Sequence, residues 1–490
     1  MEKTAPGTSD AGALLPGKAS PSVPQLSRTV RPVPKAPVRI VHLGLGAFHR
    51  SHQAWYTQHA GDAPDWGIAA FTGRRPDAAA SLSGQDGLYT VVERGDEGDT
   101  FEVVGSIVEA VDGADIGRLA GLIAAPGTAV VTLTITEAAY GLRADGRLDP
   151  KDPGVADDLQ QLKAGPDGMP TTPVGRLVNA LAARQAAGAG PLAVVCCDNL
   201  SHNGTVARNA VVGMAEAWDP RLAAWIDANV SFVSTSVDRI TPRTTDADVE
   251  AVTAACGYRD NSPVVAEPFR NWVLSGDFPA GRPRWEDAGA VFVDDIEPYE
   301  NRKLWLLNGA HSLLAYLGQL RGHTTVAEAL ADPACLAAVE RFWDEAEANL
   351  SGAAADGADL QIPAYRVQLL ARFRNARIAH HLTQIAMDGS TKLRMRAVPV
   401  LAAEREAGRT GEGAAGMIAA WVAFCGAATQ EGQAIQDPLA GDIAAACALP
   451  GPDRVRALVA LLNEPLSQDG GTVELVATLA AGFVRQEAQA

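Results

Sequence analysis

Lys303, Asn308 and His311 are polar groups on an otherwise apolar run, Lys303-Leu304-Trp305-Leu306-Leu307-Asn308-Gly309-Ala310-His311. A lysine withdrawn from water has a lowered pKa and can take a proton near neutrality. An asparagine amide can hydrogen-bond a developing alkoxide or carbonyl oxygen. Together these are parts for moving a proton off an alcohol. At about 100° per residue, Asn308 stands roughly 140° and His311 roughly 80° from Lys303 around an α-helix. One cavity receives all three if Lys303 sits near the helix start. A surface lysine and a satisfied core histidine fit the same pattern. Tyr299-x-x-x-Lys303 has the Tyr/Lys spacing of short-chain dehydrogenases, but the chain is about twice too long for that class, and the pair falls where the strand-rich half ends.

Four other places carry chemistry. Gly44-x-Gly46, with Phe48 in the same turn, follows a strand-like run and opens a helix. Such glycines permit a tight turn and the close backbone approach that a dinucleotide pyrophosphate needs. His49 stands where a third glycine is usual, and a plain strand–helix connection also fits. The second strand ends Thr72-Gly73-Arg74-Arg75, without the usual acid for the ribose hydroxyls. Arg74 and Arg75 would accept a 2′-phosphate and favour NADP, or form a solvated surface pair. Asn199, and Asp238 with Arg239, follow apolar strands, where ligands of open α/β sheets bind; a loop cap or an ion pair would look the same.

The elements that must hold these groups alternate. Strand-like runs at Val38–Leu43, 67–72, 129–135 and 192–197 are separated by helical patterns, which predicts a parallel α/β sheet. From Glu300 onward, long Ala/Leu-rich amphipathic runs dominate, so a mostly helical second domain is expected, with the change near residues 285–300. Residues 1–37, rich in Pro, Ala, Ser and Gly, are expected to be a disordered tail.

Among 490 residues, 58 acids against 41 Lys+Arg give a net charge of -17. That balance argues against nucleic acid as a partner. No apolar run is read as long enough to span a bilayer, and the N-terminus lacks the apolar core of a secretory signal. Six cysteines, four scattered and Cys196 and Cys197 adjacent, without zinc-site spacing, suit small buried thiols in a reducing cytoplasm.

The whole set of segments resembles the mannitol dehydrogenase family of polyol-specific long-chain dehydrogenases, which includes mannitol 2-dehydrogenases and fructuronate reductases. The resemblance runs from about Arg39 to at least Arg396. It is carried by Ile40 through Gln53, Cys197-Asp198-Asn199-Leu200, Val237 through Pro242, Glu267-Pro268-Phe269-Arg270 with Trp272, Gly281-Arg282-Pro283, Lys303 through Tyr316, and Ile385 through Ser390 with Lys392.

The resemblance implies a Rossmann-type dinucleotide-binding domain over 38–290 and a helical substrate/catalytic domain over 291–490. It implies metal-free hydride transfer with NAD, or NADP. Lys303 matches the family's base. Asn199 and Asn308 match the pair that polarises the reacting oxygen, and Glu300 a carboxylate that passes the lysine's proton to water. His311 and Asp238, with Arg239 beside it, match the polyol site; Gly44, Gly46, Phe48 and Arg74 are the expected cofactor contacts.

Two departures stand out. Thr136-Glu137-Ala138-Ala139-Tyr140 lacks a lysine that the family often carries. His381 stands where fructuronate reductases tend to have an arginine suited to a carboxylate, which favours a neutral polyol; residues 384–392 read more like the uronate branch. The expectation is a cytoplasmic monomer or small homo-oligomer interconverting mannitol and fructose. Mannonate/fructuronate interconversion is the alternative, and a non-catalytic cofactor-binding regulator a remote one.

Overall fold

The computed structural model describes residues 23–165, 168–354, 358–378 and 380–485. The expected tail divides accordingly. Residues 1–22 lie outside the described part, but 23–37 form a strap against the body. Leu26 is fully buried among Leu88, Val92, Val252, Tyr258 and Val265. The Arg28 guanidinium donates to the carbonyls of Val33, Pro34, Gly105 and Ile107. The composition that argued for disorder is an average, and it hides the two residues that anchor the segment.

Among the described residues, eleven strands form two sheets. They are β1 (Val38–Leu43), β2 (Gly67–Phe71), β3 (Tyr89–Gly95), β4 (Gly98–Val104), β5 (Ile107–Val111), β6 (Val130–Leu133), β7 (Leu192–Cys196), β8 (Val230–Asp238), β9 (Val264–Ala266), β10 (Asn271–Ser275) and β11 (Val291–Phe292). The large sheet runs β11-β10-β8-β7-β6-β1-β2-β5. It is parallel except where β10 runs against β8. Helices cover both faces, so β2, β6 and β7 are buried throughout and read as unbroken apolar runs.

The chain leaves β1 toward β2 on one side and later fills β6, β7 and β8 on the other. The switch point lies between β1 and β6, where doubly wound sheets open a ligand crevice. The ends of β1, β6, β7 and β8 share that edge, and each leads into a residue of interest. The small sheet β4-β3-β9 supplies two of the strap's apolar partners, Val92 and Val265.

Helix ends follow local chemistry. In Pro173–Ala187, Thr172 accepts from the Gly175 amide, Pro173 fits the first turn, and Gly188 (φ +63°) closes the helix in left-handed geometry.

The C-terminal half is helical around its own core. One stretch departs from the membrane expectation: Glu412–Gln430, 19 residues, is long and apolar enough to cross a bilayer by length and composition. Here it is the central core helix, packed on Ala310–Leu320, Pro333–Ala354 and Gly470–Arg485. An all-round apolar helix is what a position in the middle of a helical domain requires.

Candidate active site

Lys303 opens a π-helical segment, Lys303–Gly309, between the α-helices Glu297–Arg302 and Ala310–Leu320. In a π-helix the backbone bond joins i and i+5, so residues five apart become axial neighbours. Lys303 and Asn308 are five apart. The wider turn places on one side two residues that an ordinary helix would separate, and both line one cleft of about 650 Å³ with Asn199, Glu300 and Arg396.

The Lys303 amine donates to Asn199 Oδ1 at 2.5 Å and to the Val237 carbonyl at 2.8 Å. Neither partner is a carboxylate. Burial lowers the Lys303 pKa; Asp238 pulls it back up, and Arg372 and Arg396 push it down. Because the Asn199 oxygen faces the amine, its NH2 group is left for a ligand oxygen. Glu300 accepts from the His202 backbone amide at 3.2 Å, and burial raises its pKa.

Asn199 is held by its neighbour. Asp198 accepts from the Ile135 and Thr136 amides and the Tyr140 hydroxyl at 3.1, 2.9 and 2.7 Å. This ties the end of β7 to the loop after β6 and holds Thr136 at φ +73°, a conformation rare outside glycine. Tyr140 is thus an anchor of the edge, and the exposed Glu137 lines the cleft.

A second cavity, about 460 Å³, adjoins the cleft and shares Asp198, Asn199, Val237 and Lys303 with it. Gly44, Gly46 and Phe48 line it. Gly44 has φ +108°, and a Cβ there would lie 2.0 Å from the Thr134 carbonyl oxygen, so the fold itself demands glycine. Gly46 differs: a Cβ would meet nothing nearer than 3.5 Å. The protein leaves room there that it does not use, which fits a dinucleotide crossing the turn.

Other expected residues are placed differently. Asp238 lines the cofactor-side cavity, but both its oxygens are held by Arg372. Arg239, expected at the substrate, is fully buried and committed to the carbonyls of Ser51 and Glu267 and to Glu93; its donors serve the frame. His381 is exposed and bridges Thr325 through its backbone. Its neighbour His380 meets His311 edge-on at 4.8 Å. His311 is buried beside Phe373, and its Nε2 has no hydrogen-bond partner among the described residues. Arg74 is exposed at the end of β2 and forms no ion pair among the described residues, while Arg75 pairs with Asp77 at 3.7 Å in solvent.

Sequence reasoning missed Arg372 and Arg396. In Ile362–Arg374 the buried Ile362, Tyr365, Leu369 and Phe373 define an apolar stripe, and position 372 falls on it three residues after Leu369. An arginine on an apolar stripe was the available signal. Arg396 comes from Gly389–Arg396, a helix seated by close packing: a Cβ on Gly389 would meet Tyr316 Oη at 2.5 Å, and Ser390 is held by Asp437.

A parallel sheet open at its switch point beside a half-buried lysine is the arrangement of two-domain dehydrogenases. The family profile described as "Mannitol dehydrogenase Rossmann domain" matches residues 38–287, and "Mannitol dehydrogenase C-terminal domain" matches 295–481. The chain belongs to the mannitol dehydrogenase family. D-mannonate oxidoreductase of Escherichia coli (strain K12) is 39% identical over 437 residues, 86% of this chain and 88% of that protein. The crystal structure of a substrate-free D-sorbitol dehydrogenase superposes with TM-score 0.84 at 29% identity, covering 94% of this chain and 98% of the other. Pseudomonas fluorescens mannitol 2-dehydrogenase, solved with NAD and D-mannitol, superposes with TM-score 0.74 at 33% identity, covering 96% and 97%.

Proposed function

We propose that this protein interconverts an open-chain sugar alcohol and its 2-ketose, in the manner of mannitol and fructose, with NAD as coenzyme. The observation that carries the reading is the Lys303 amine, bonded among the described residues to Asn199 Oδ1 and the Val237 carbonyl and to no carboxylate, where cleft and cofactor cavity meet. When bound, the nicotinamide supplies the hydride acceptor. Uncharged Lys303 takes the alcohol proton, and the Asn199 and Asn308 amides donate to the oxygen as it becomes a carbonyl. Glu300, on the same side of the cleft, hands the proton on to water.

Lys303→Ala is expected to lower turnover by about 10²–10⁴-fold, the worth of a positioned base, with folding retained. Unchanged turnover refutes the role. NAD as coenzyme is supported by the mannitol 2-dehydrogenase solved with it. The exposed Arg74 at the end of β2 is the feature that would admit NADP, and kinetics with both coenzymes decide between them.

One observation favours a hexonate such as mannonate as a second reading. Arg396 donates to the Asn308 carbonyl and Ser312 Oγ, but among the described residues its buried Nε has no acceptor and no carboxylate pairs with it. Burial brings its pKa down to about 10. A cation left unpaired at the cleft suits a substrate carboxylate. Rates on mannitol, sorbitol, arabinitol, mannonate, fructose and fructuronate separate the readings: activity confined to hexonates would overturn the neutral polyol.

A further inference from the structure

Arg372 crosses from the helical domain into the Rossmann domain. From the last turn of Ile362–Arg374 its guanidinium grips Asp238 with two parallel hydrogen bonds, Nη1 to Oδ2 at 2.7 Å and Nη2 to Oδ1 at 2.9 Å. Nη2 also meets Glu267 Oε1 at 2.6 Å. The three side chains are almost wholly buried, at 4%, 8% and 3% exposure. Such a group is a poor device for stability alone, since apolar residues of similar volume often hold a fold as well or better. Its position suggests another use.

Asp238 follows Val237, whose carbonyl accepts from the Lys303 amine. A carboxylate so close, with oxygens free, would draw that amine into an ion pair and hold it as ammonium. Arg372 occupies both oxygens instead, and its own charge pushes the Lys303 pKa down. Among the described residues, Glu300 from Glu297–Arg302 pulls the amine's pKa up and Arg396 from Gly389–Arg396 pushes it down, His52 beside Gln53–His59 is kept neutral by burial, and Glu137, Arg143, Asp198 and Arg239 line the same cavities. Burial first, and Asp238 beside it, carry the Glu267 pKa up to about 7.

We propose that Arg372 is a positioning residue for the reaction: by holding Asp238 away from the Lys303 amine, it keeps that amine able to exist uncharged at working pH. The proposal rests on Lys303 being the base. Its signature is a pH profile. Alcohol oxidation rises with pH as Lys303 loses its proton, so anything that raises the Lys303 pKa moves that limb to higher pH.

The experiment measures kcat/KM for alcohol oxidation against pH in the wild type, Arg372→Met, Asp238→Asn and the double variant. In Arg372→Met the limb is expected to move up by about one unit or more, the usual effect of an unshielded opposite charge. In the double variant, which loses the carboxylate as well, the limb returns toward the wild-type position. Should Arg372→Met not fold, Arg372→Gln, which keeps a hydrogen bond but no charge, is expected to show a smaller upward move. A packing role alone would lower rates at every pH and leave the limb in place, and that result overturns the proposal. Lys303→Ala separates the two failures. If it keeps wild-type turnover, the base assignment falls and this proposal with it; if it is inactive and the limb of the Arg372 variants stays put, only the role of Arg372 falls.

Discussion

Gly44 and Gly46 stand two residues apart in one turn, yet they are glycine for different reasons. Gly44 answers to the protein, through its positive φ and the Thr134 carbonyl 2.0 Å from where a Cβ would be. Gly46 answers to whatever lies over it. Gly44→Ala should therefore misfold or lose several degrees of melting temperature. Gly46→Ala should keep its melting temperature, or gain slightly from a stiffer unfolded chain, while binding NADH at least about tenfold more weakly, because the new methyl stands where the pyrophosphate must pass. Thermal melts and a fluorescence titration of NADH read both effects. Equal NADH affinity in Gly46→Ala would remove the cofactor from this turn. At this scale much was legible: Lys303, Asn199, Asn308 and Glu300 do line one cleft. Less legible were the partners of Arg239, which lines the cofactor-side cavity while its donors go to Ser51, Glu93 and Glu267, residues far away in the chain.

Elements explain two things that spacing concealed. An α-helical projection sets Asn308 well round the helix from Lys303, and the π-helical turn removes that separation. No residue in Lys303–Gly309 announces such a turn; it is held by packing, with Trp343 Nε1 donating to the Leu306 carbonyl at 2.7 Å. The missing third glycine of the dinucleotide turn has its account here too. That glycine usually lets the first helix approach the first strand, and in its place His49 lies flat on His42 of β1, centroids 3.3 Å apart. Gln53 bridges His49 to His52, which reaches the Asn271 carbonyl. Burial carries the pKa of His42 and of His52 down to about 3, below the 6.5 of the unfolded chain. Their contribution is therefore complete above pH 6.5 and lost as the pH falls toward 3. Each should cost about 1.4 kcal/mol per pH unit across that window. Urea unfolding at pH 7, 5.5 and 4.5 is expected to show this slope. His42→Asn, which can still reach the Thr132 hydroxyl but does not titrate, should be less stable at pH 7 and shallower in acid. An unchanged acid slope in that variant would assign the sensitivity elsewhere.

Over the whole molecule, the division into a sheet half and a helical half was readable because periodicity is local: strands announce themselves in five residues, helices in ten or more. The contacts that join distant parts were not. Arg372 reaches Asp238 across 134 positions. The strap 23–37, which composition assigns to disorder, is fastened by Leu26 and Arg28 to residues far along the chain. Gln25 bridges Arg259, and the Leu26 amide and the Arg259 amide each find a carbonyl on the other segment, at 2.8 Å. Composition cannot register this, because Leu26 supplies an anchor only when distant residues, Val92 of β3 and Val265 of β9 among them, have already built its pocket. Leu26→Ala tests the strap at the scale where it acts. It removes a wholly buried side chain, so a loss of about 2–5 kcal/mol is expected, read as a lower denaturation midpoint. Turnover under folding conditions should stay near wild type, since Leu26 packs against the small sheet and not against the cleft. A midpoint equal to wild type would mean that the strap is detached in solution and that the body of the domain is complete without it.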